Sequence, residues 1–145
     1  PFDVVPSFWA KVKELADNGK IISIDKVKKE ILQNKDELSE WIIENLPEDF
    51  FKDTSTVVTN YALLTGWVYA KADQYSQQAI GEFLDADEAD AWLISYAMAY
   101  QNQIVTYETS SPNSRKRVML PDAASPFNVV CIKTIDLFRN LGVRI

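Results

Sequence analysis

The sequence predicts an α/β fold in which helices cover both faces of a central, mostly parallel sheet. Short apolar segments rich in β-branched residues alternate with stretches whose apolar residues recur at helical spacing. Parallel strands need long crossover connections, which are usually helical, so this alternation favours three layers in the order α/β/α. The chain has 145 residues, which is near the usual size of one core, so we expect a single domain over residues 1–145.

The first half of the chain is predicted to be mostly helical. Its predicted elements, in order, are a helix over 6–18, a strand over 21–24, a helix from 25, a helix over 36–45 and two helices within 54–84. Gly19 and Pro47 are typical of the positions just beyond the ends of helices. Asp25 is typical of a helix N-cap, because its carboxylate can accept a hydrogen bond from a free backbone N–H.

The second half alternates more regularly between helix and strand. Its predicted elements are a helix over 87–100, a strand over 103–106, a minor strand or loop at 118–120, a helical turn within 121–126, a strand over 127–132 and a helix over 134–141. Only about three strands are visible in the whole chain, whereas sheets of this kind usually have about four or five. Because the chain also opens on a helix, we expect that a leading strand is missing from its front.

The composition excludes several classes of protein and site. Histidine is absent from the sequence, which rules out Ser-His-Asp and Cys-His catalysis and the usual His-rich zinc sites. The net charge of −6 argues against broad nonspecific binding to nucleic acid but allows a local basic surface. No apolar run approaches the roughly 20 residues of a membrane span, and the single cysteine, Cys131, fits a core thiol in a reducing compartment. We therefore expect a soluble, cytoplasmic protein.

Two acidic residues are placed where α/β folds form their sites. Asp90 lies in the first turn of the predicted helix over 87–100, and Glu108 follows the predicted strand over 103–106. In an open α/β sheet both carboxylates would converge at the carboxyl ends of the strands, where oxygen ligands suit a hard cation such as Mg²⁺. Each acid also has a structural interpretation, since Asp87 and Asp90 together resemble a capping box and Glu108 is an ordinary loop acid.

Other polar residues fit a site of this kind. Glu30 follows the predicted strand over 21–24, although a solvated helix charge is its simpler interpretation. Thr106 is most simply a strand residue, but its hydroxyl is able to orient a carboxylate or a water. A basic run is formed by Arg115, Lys116 and Arg117. Such a run is usually a solvated loop, yet beside an acidic site it would hold a phosphodiester backbone.

The segments that carry these acids resemble the PIN domain family. In that family an Asp opens a helix of the form D-x-x-(I/L)-x-x-x-A, and the next strand ends in V-T-x-D or a near variant. Residues 90–97 and 104–108 follow this pattern, with Glu108 in place of the final Asp. Residues 22–31 resemble the short strand of the family and its helix with an acidic end, here Glu30. The remainder resembles one PIN-like branch through 5–9, 19–25, 116–121 and 137–145.

The resemblance implies a metal-dependent endoribonuclease, often the toxin of a toxin–antitoxin pair. By position, Glu30, Asp90 and Glu108 would be its catalytic acids and would together hold one or two Mg²⁺ or Mn²⁺ ions. Such ions activate water for attack on an RNA phosphodiester and stabilise the charge that develops. The resemblance also implies RNA as the substrate, an antitoxin protein as a partner and a homodimer as the assembly.

One feature departs from the family pattern. PIN domains begin with a central strand that ends in an Asp, and this sequence starts after that point; Asp3 lies too close to the first helix to replace it. We therefore expect the metal site of this form to lack a ligand and to be inactive, and the N-terminally complete form to be active. A noncatalytic PIN-like interaction module is the alternative. A phosphoacceptor receiver domain is disfavoured, because no predicted strand ends in a lone Asp with a matching Lys-bearing strand.

Overall fold

The computed structural model describes residues 5–143 and shows a mixed α/β chain that is mostly helical. Of the described residues, those up to Asp53 together with Val143 form one compact unit, and Thr54–Gly142 form a second. Each unit contains a two-stranded parallel sheet, so the predicted combination of helices with parallel strands is confirmed. None of the helices in the described range combines the length and the apolar character that a membrane crossing requires.

The first unit combines helices with two very short strands. Its elements are α1 (Pro6–Asp17), β1 (Ser23–Ile24), α2 (Asp25–Gln33), α3 (Glu37–Asn45) and β2 (Phe51–Lys52). The strands pair in parallel, with Ser23 opposite Phe51 and Ile24 opposite Lys52. Strand β2 was not predicted from the sequence, because two residues are too few to show the alternation that identifies a strand.

Local sequence signals explain where the helices of the first unit begin and end. The chain leaves α1 at Gly19, which has a φ of 69° and so a conformation that glycine adopts without strain. A capping box opens α3: Asp36 accepts a hydrogen bond from the Ser39 N–H at 3.1 Å, and Ser39 Oγ accepts one from the Asp36 N–H at 3.4 Å. The predicted N-cap at Asp25 is wrong by one position, because Ile24 is the N-cap and Asp25 is the first residue of α2.

The buried side chains of the first unit come from its sheet and from two of its helices. Ile24 of β1 is almost completely buried, and Leu15 of α1 and Ile42 of α3 are also buried. The rings of Trp9 and Trp41 meet edge-on with their centroids 5.1 Å apart, a favourable geometry for an aromatic pair. Helices α1 and α3 therefore pack against each other.

The second unit contains the longer part of the chain. Its elements are α4 (Val58–Tyr69), α5 (Gln77–Phe83), α6 (Asp90–Tyr100), β3 (Ile104–Val105), α7 (Leu120–Ala124), β4 (Cys131–Ile132) and α8 (Thr134–Asn140). Strands β3 and β4 pair in parallel, with Ile104 opposite Cys131 and Val105 opposite Ile132. Helix α7 lies between them in the chain, so this crossover is partly helical, as parallel pairing favours.

Helix α6 is central to the core of the second unit. Ala91, Ile94 and Ser95 are fully buried, and the helix packs against α4 and α7. The Ser95 hydroxyl donates to the Ala91 carbonyl at 2.7 Å, so this buried polar group is satisfied. The position of α6, and hence of its first residue, Asp90, is therefore fixed by packing.

Two predicted elements of the second unit differ from the observed ones. The predicted strand over 127–132 is limited to Cys131–Ile132, because a 3₁₀ turn occupies Ser125–Phe127 and Asn128 is left-handed with a φ of 60°. The stretch 118–120 does not form a strand and leads directly into α7.

Candidate functional site

Asp90 opens α6 and is half-buried. Ala89 occupies the N-cap position of α6, so the prediction that Asp87 is the N-cap is wrong. One turn into the helix, Ile94 is fully buried and holds this end of α6 in place. The N-terminal end of a helix carries partial positive charge, which stabilises a carboxylate such as that of Asp90.

Asp90 lies on the wall of a partly open cleft of about 200 Å³ in the second unit. This α6 cleft is lined by Ala79, Glu82, Phe83, Glu88, Asp90, Arg117 and Val118. Its three apolar residues are buried, whereas Glu82, Glu88 and Arg117 are exposed. The cleft therefore presents three carboxylates and a guanidinium group beside buried apolar side chains.

The side chains of the α6 cleft suit two kinds of ligand. Carboxylate oxygens are the donors that Mg²⁺ and Mn²⁺ prefer, and a guanidinium group matches the geometry of a phosphate. Among residues 5–143, no group of three or more acidic or cysteine side chains is arranged closely enough to hold a metal. In this structure the carboxylates of the cleft are thus separate donors.

Glu108 follows β3 and has a defined set of partners in the same unit. Its Oε1 forms an ion pair with Arg117 Nη2, and its Oε2 accepts a hydrogen bond from the Leu120 N–H at 3.2 Å. Leu120 is the first residue of α7, so the Glu108 carboxylate satisfies one of the free N–H groups of that helix. Thr106 Oγ1 accepts a hydrogen bond from the Glu108 N–H at 3.1 Å and so orients the Glu108 backbone.

Arg117 connects the two predicted acids of the second unit. Its guanidinium pairs with Glu108, and the same residue lines the α6 cleft together with Asp90. Arg117 is thus paired with Glu108 and shares the lining of the cleft with Asp90.

The loop between Glu108 and α7 is held by hydrogen bonds to its surroundings. Asp122 of α7 accepts from the Ser110 hydroxyl and from the Ser111 N–H, the latter at 2.7 Å. Gln74 Nε2 donates to the Pro112 carbonyl at 2.6 Å. These contacts define the path of a loop that the sequence pattern described only as polar.

The predicted basic run is exposed at the end of this loop. Arg115, Lys116 and Arg117 are all exposed, and the Arg115 carbonyl accepts a hydrogen bond from the Ser76 N–H at 2.9 Å. Among these three residues, Arg117 contributes to the α6 cleft. The backbone hydrogen bond at Arg115 therefore holds the basic run beside α5. The side chains of all three basic residues remain exposed.

Glu30 lies in the second half of α2, in the first unit, and is half-buried. Asp90 and Glu108 belong to the second unit. The predicted set of three acids is therefore divided between the units, and within the second unit Asp90 and Glu108 share Arg117 as a neighbour. The role of Glu30 stays a prediction.

Cys131 lies on β4 close enough to Glu108 to respond to its charge. Burial raises the pKa of the Cys131 thiol above its usual value of 9.0, and the Glu108 carboxylate raises this pKa further. The thiol therefore stays protonated near neutral pH, a state of low reactivity. Cys131 is half-buried, so it is less deeply placed than the core thiol that the sequence predicted.

Glu82 and Glu88 line the cleft but were not predicted from the sequence. Glu88 belongs to an acidic run over 85–90 that ends in Asp90, and this run was the available signal. Glu82 lies on α5 and reaches the cleft through the packing of that helix. The cleft also includes Arg117 and Val118, which are distant in sequence, and a local pattern does not show such tertiary contacts.

Comparisons with known proteins place the whole chain in one family. The sequence model of DUF4411, described as a domain of unknown function, matches residues 1–145. No curated protein and no solved structure matches the chain.

Proposed function

The chain belongs to the DUF4411 family, and we propose that it is a PIN-like ribonuclease that depends on Mg²⁺ or Mn²⁺. The observation that carries the proposal is the position of Asp90. Asp90 is the first residue of α6, a helix held in place by packing. Its side chain lines a partly open cleft together with Glu82, Glu88 and Arg117. Metal-dependent hydrolysis of a phosphodiester requires oxygen donors that bind the metal, and a guanidinium group beside them can bind the phosphate.

The cleft offers carboxylate oxygens, the donors that a hard divalent cation binds, although among the described residues they do not converge on one point. Asp90 would hold the ion with one of its oxygens, and Glu82 or Glu88 would add further oxygen ligands or bind its waters. A bound ion would supply activation of water and stabilisation of the developing charge. The N-terminal end of α6 places partial positive charge beside the Asp90 carboxylate.

The basic residues beside the cleft explain why a phosphodiester is the proposed substrate. The net charge of −6 disfavours nucleic acid over most of the surface, so binding requires a local cationic patch. Arg117 supplies a cation in the cleft, and Arg115 and Lys116 are exposed next to it. Contacts from this run to the backbone would position an RNA strand without reading its sequence.

The finer predictions belong to the same proposal. They are a three-layer PIN-like α/β/α fold, catalytic and metal-binding roles for Glu30 and Glu108, an antitoxin partner, a homodimer and a cytoplasmic location. The resemblance of residues 22–31, 90–97 and 104–108 to the PIN pattern supports them. Glu30 is tested by itself: Glu30→Gln is expected to weaken Mn²⁺ binding, and unchanged affinity would remove Glu30 from the proposed site.

Cleavage of RNA by the protein with its native N-terminus, in the presence and absence of Mn²⁺, tests the activity. Asp90→Asn is expected to lower the cleavage rate by at least about 100-fold, since the loss of an outer-shell partner alone costs about 10- to 100-fold. Asp87→Asn is the matched control, because Asp87 is an exposed acid three residues before Asp90 that does not line the cleft. Equal cleavage by the wild type and Asp90→Asn would contradict the proposal.

A noncatalytic interaction module is the second candidate, and Glu108 favours it. The Glu108 carboxylate is engaged by Arg117 and by the Leu120 N–H, which is a structural use that requires no metal. Mn²⁺ calorimetry discriminates between the two functions. The module predicts no Mn²⁺ binding that depends on Asp90, whereas the ribonuclease predicts binding that Asp90→Asn removes.

A further inference from the structure

Tyr107 is held in place although most of it lies in solvent. It is 80% exposed, the largest fraction among the exposed large apolar residues of the described range 5–143. Just before it, the Thr106 N–H donates to the Ile132 carbonyl at 2.9 Å and keeps the chain beside β4. The Thr134 hydroxyl donates to the Tyr107 hydroxyl at 3.3 Å. The ring is therefore held through its backbone and its hydroxyl, while most of its surface is open to a ligand.

Two cations lie near Tyr107, each through a different neighbour. Glu108 directly follows Tyr107 and pairs with Arg117. Thr134, which contacts the Tyr107 hydroxyl, directly follows the exposed Lys133. The ion pair uses Nη2 of Arg117, whose side chain is 62% exposed. A guanidinium group has five N–H donors, so further donors remain for a phosphate.

An exposed aromatic ring between cations suits a single-stranded nucleic acid. Unpaired bases stack on aromatic side chains, and basic side chains contact the phosphates of the same strand. Exposure of an aromatic residue alone would not indicate such a site. Tyr69, for example, is 61% exposed on α4, a helix without charged residues. Tyr107 differs from Tyr69 because its hydroxyl is held and cations lie beside it.

We propose that Tyr107 stacks on a base of single-stranded RNA whose phosphates contact Arg117 and Lys133. The inference rests on the proposed function and names the form of its substrate. Tyr107 itself lies outside the α6 cleft, whereas Arg117 lines it. A strand that stacks on Tyr107 and contacts Arg117 is therefore led to the cleft. Glu108 keeps its hydrogen bonds to Arg117 and to the Leu120 N–H in this arrangement.

Fluorescence anisotropy of a labelled single-stranded RNA of about 10 nucleotides measures this binding. The titration uses the full chain in EDTA at low ionic strength, because stacking requires no metal and EDTA prevents metal-dependent cleavage. Tyr107→Ala is expected to lower the affinity by at least about 5-fold, the loss of one base–aromatic stack. Tyr107→Phe keeps the ring and should bind close to the wild type. Tyr69→Ala is the matched control, since it removes an exposed ring from a helix without charges, and should not change the affinity.

An abasic strand with the same number of phosphates separates stacking from charge. The wild type and Tyr107→Ala should bind the abasic strand with equal affinity, because it has no base to stack. Arg117→Gln should weaken binding of the intact and the abasic strand by the same factor, because it removes a phosphate contact. In a duplex the bases stack on each other, so Tyr107→Ala should leave the affinity for a duplex of the same sequence unchanged.

The outcomes separate this inference from the proposed function. Equal affinity of the wild type and Tyr107→Ala for the intact strand would overturn the inference, as would an equal loss for the intact and abasic strands. Absence of strand binding in every protein would overturn it as well. Calorimetry with Mn²⁺ tests the metal site independently: Tyr107→Ala should bind Mn²⁺ like the wild type, because Tyr107 lies outside the α6 cleft. Absence of Mn²⁺ binding together with strand binding that depends on Tyr107 would contradict the metal site and support the stacking.

Discussion

The hydrogen bond from Leu120 to Glu108 predicts that the acceptor oxygen of Glu108 contributes more to stability than its charge does. Glu108→Ala removes the acceptor at the start of α7 and leaves the N–H of Leu120, a buried residue, without this partner. Glu108→Gln keeps an acceptor oxygen and removes only the charge. The two variants therefore separate the cap from the ion pair.

The expected magnitudes follow from the geometry. Loss of a helix-capping acceptor typically lowers the free energy of unfolding by about 1 kcal/mol. We expect no larger loss for the Leu120–Glu108 hydrogen bond, because its length of 3.2 Å is long for a charge-assisted bond. The ion pair adds less than about 1 kcal/mol, because Arg117 is mostly exposed and screened by solvent. Glu108→Ala should therefore lower the free energy of unfolding by about 1–2 kcal/mol, and Glu108→Gln by less than about 1 kcal/mol.

Urea denaturation followed by tryptophan fluorescence measures both values. Glu88→Ala is the control, because Glu88 is an exposed acid of the same unit, and it should change the free energy of unfolding by no more than about 0.5 kcal/mol. If Glu108→Gln destabilised the protein as much as Glu108→Ala, the charge rather than the acceptor would be the main contribution. If neither variant were destabilised, Glu108 would not cap α7.

Three further predictions concern the core, the cysteine and a helix cap. Ile94→Ala should lower the free energy of unfolding, measured in urea, by about 2–5 kcal/mol, because Ile94 is fully buried. Ile135→Ala, on the exposed side of α8, should lower it by no more than about 0.5 kcal/mol. Similar losses in both variants would contradict the assignment of the core. The pKa of Cys131 in the folded protein is raised above its unfolded value near 9.0, so the unfolded chain loses the thiol proton first as the pH rises. The stability that the protonated thiol contributes is therefore fully present below the unfolded pKa and is lost as the pH rises through the folded pKa. Glu108→Gln should lower that folded pKa and speed alkylation of Cys131 by iodoacetamide at pH values near and below about 9, and an unchanged rate–pH profile measured by mass spectrometry would show that the carboxylate does not act on the thiol. Asp36→Ala should lower the free energy of unfolding by about 1 kcal/mol through loss of the α3 cap, with Asp36→Ser close to the wild type, and equal loss in the two variants would exclude a capping role.

Helices of this chain were predicted well because their signals are local. The predicted helix over 134–141 compares with α8 at Thr134–Asn140, and the predicted helix over 6–18 compares with α1 at Pro6–Asp17. In both helices, apolar residues recur at helical spacing and a glycine follows the helix. Such features require no knowledge of the rest of the fold.

The strands were predicted less well because their pairing is set by distant residues. Phe51–Lys52 forms β2 only because it lies beside Ser23–Ile24, and neither flanking sequence alternates. In the stretch 127–132, an apolar pattern continues through a 3₁₀ turn and the left-handed Asn128. The local pattern identifies residues that can form strands, whereas tertiary contacts decide which of them pair.

The candidate site shows the same division between local and distant information. Asp90 was recognised because the helix that it opens has a periodic buried face, and the structure places it on an open cleft. The pairing of Glu108 with Arg117 was not predicted, since the two residues are separated by a loop whose course depends on Gln74 and Asp122. An acid that follows a strand can bind a metal or cap a helix, and the sequence contains no signal that separates these uses.

Calorimetric titration with Mn²⁺ of the wild type, Asp90→Asn and Asp87→Asn tests the proposed metal site most directly. The proposal predicts that Asp90→Asn weakens Mn²⁺ binding by at least about 10-fold, since even outer-shell partners of a metal contribute about this much. Asp87→Asn should bind like the wild type, because Asp87 lies outside the α6 cleft. Equal affinity in all three proteins, or no Mn²⁺ binding in the wild type, would contradict a metal site at Asp90.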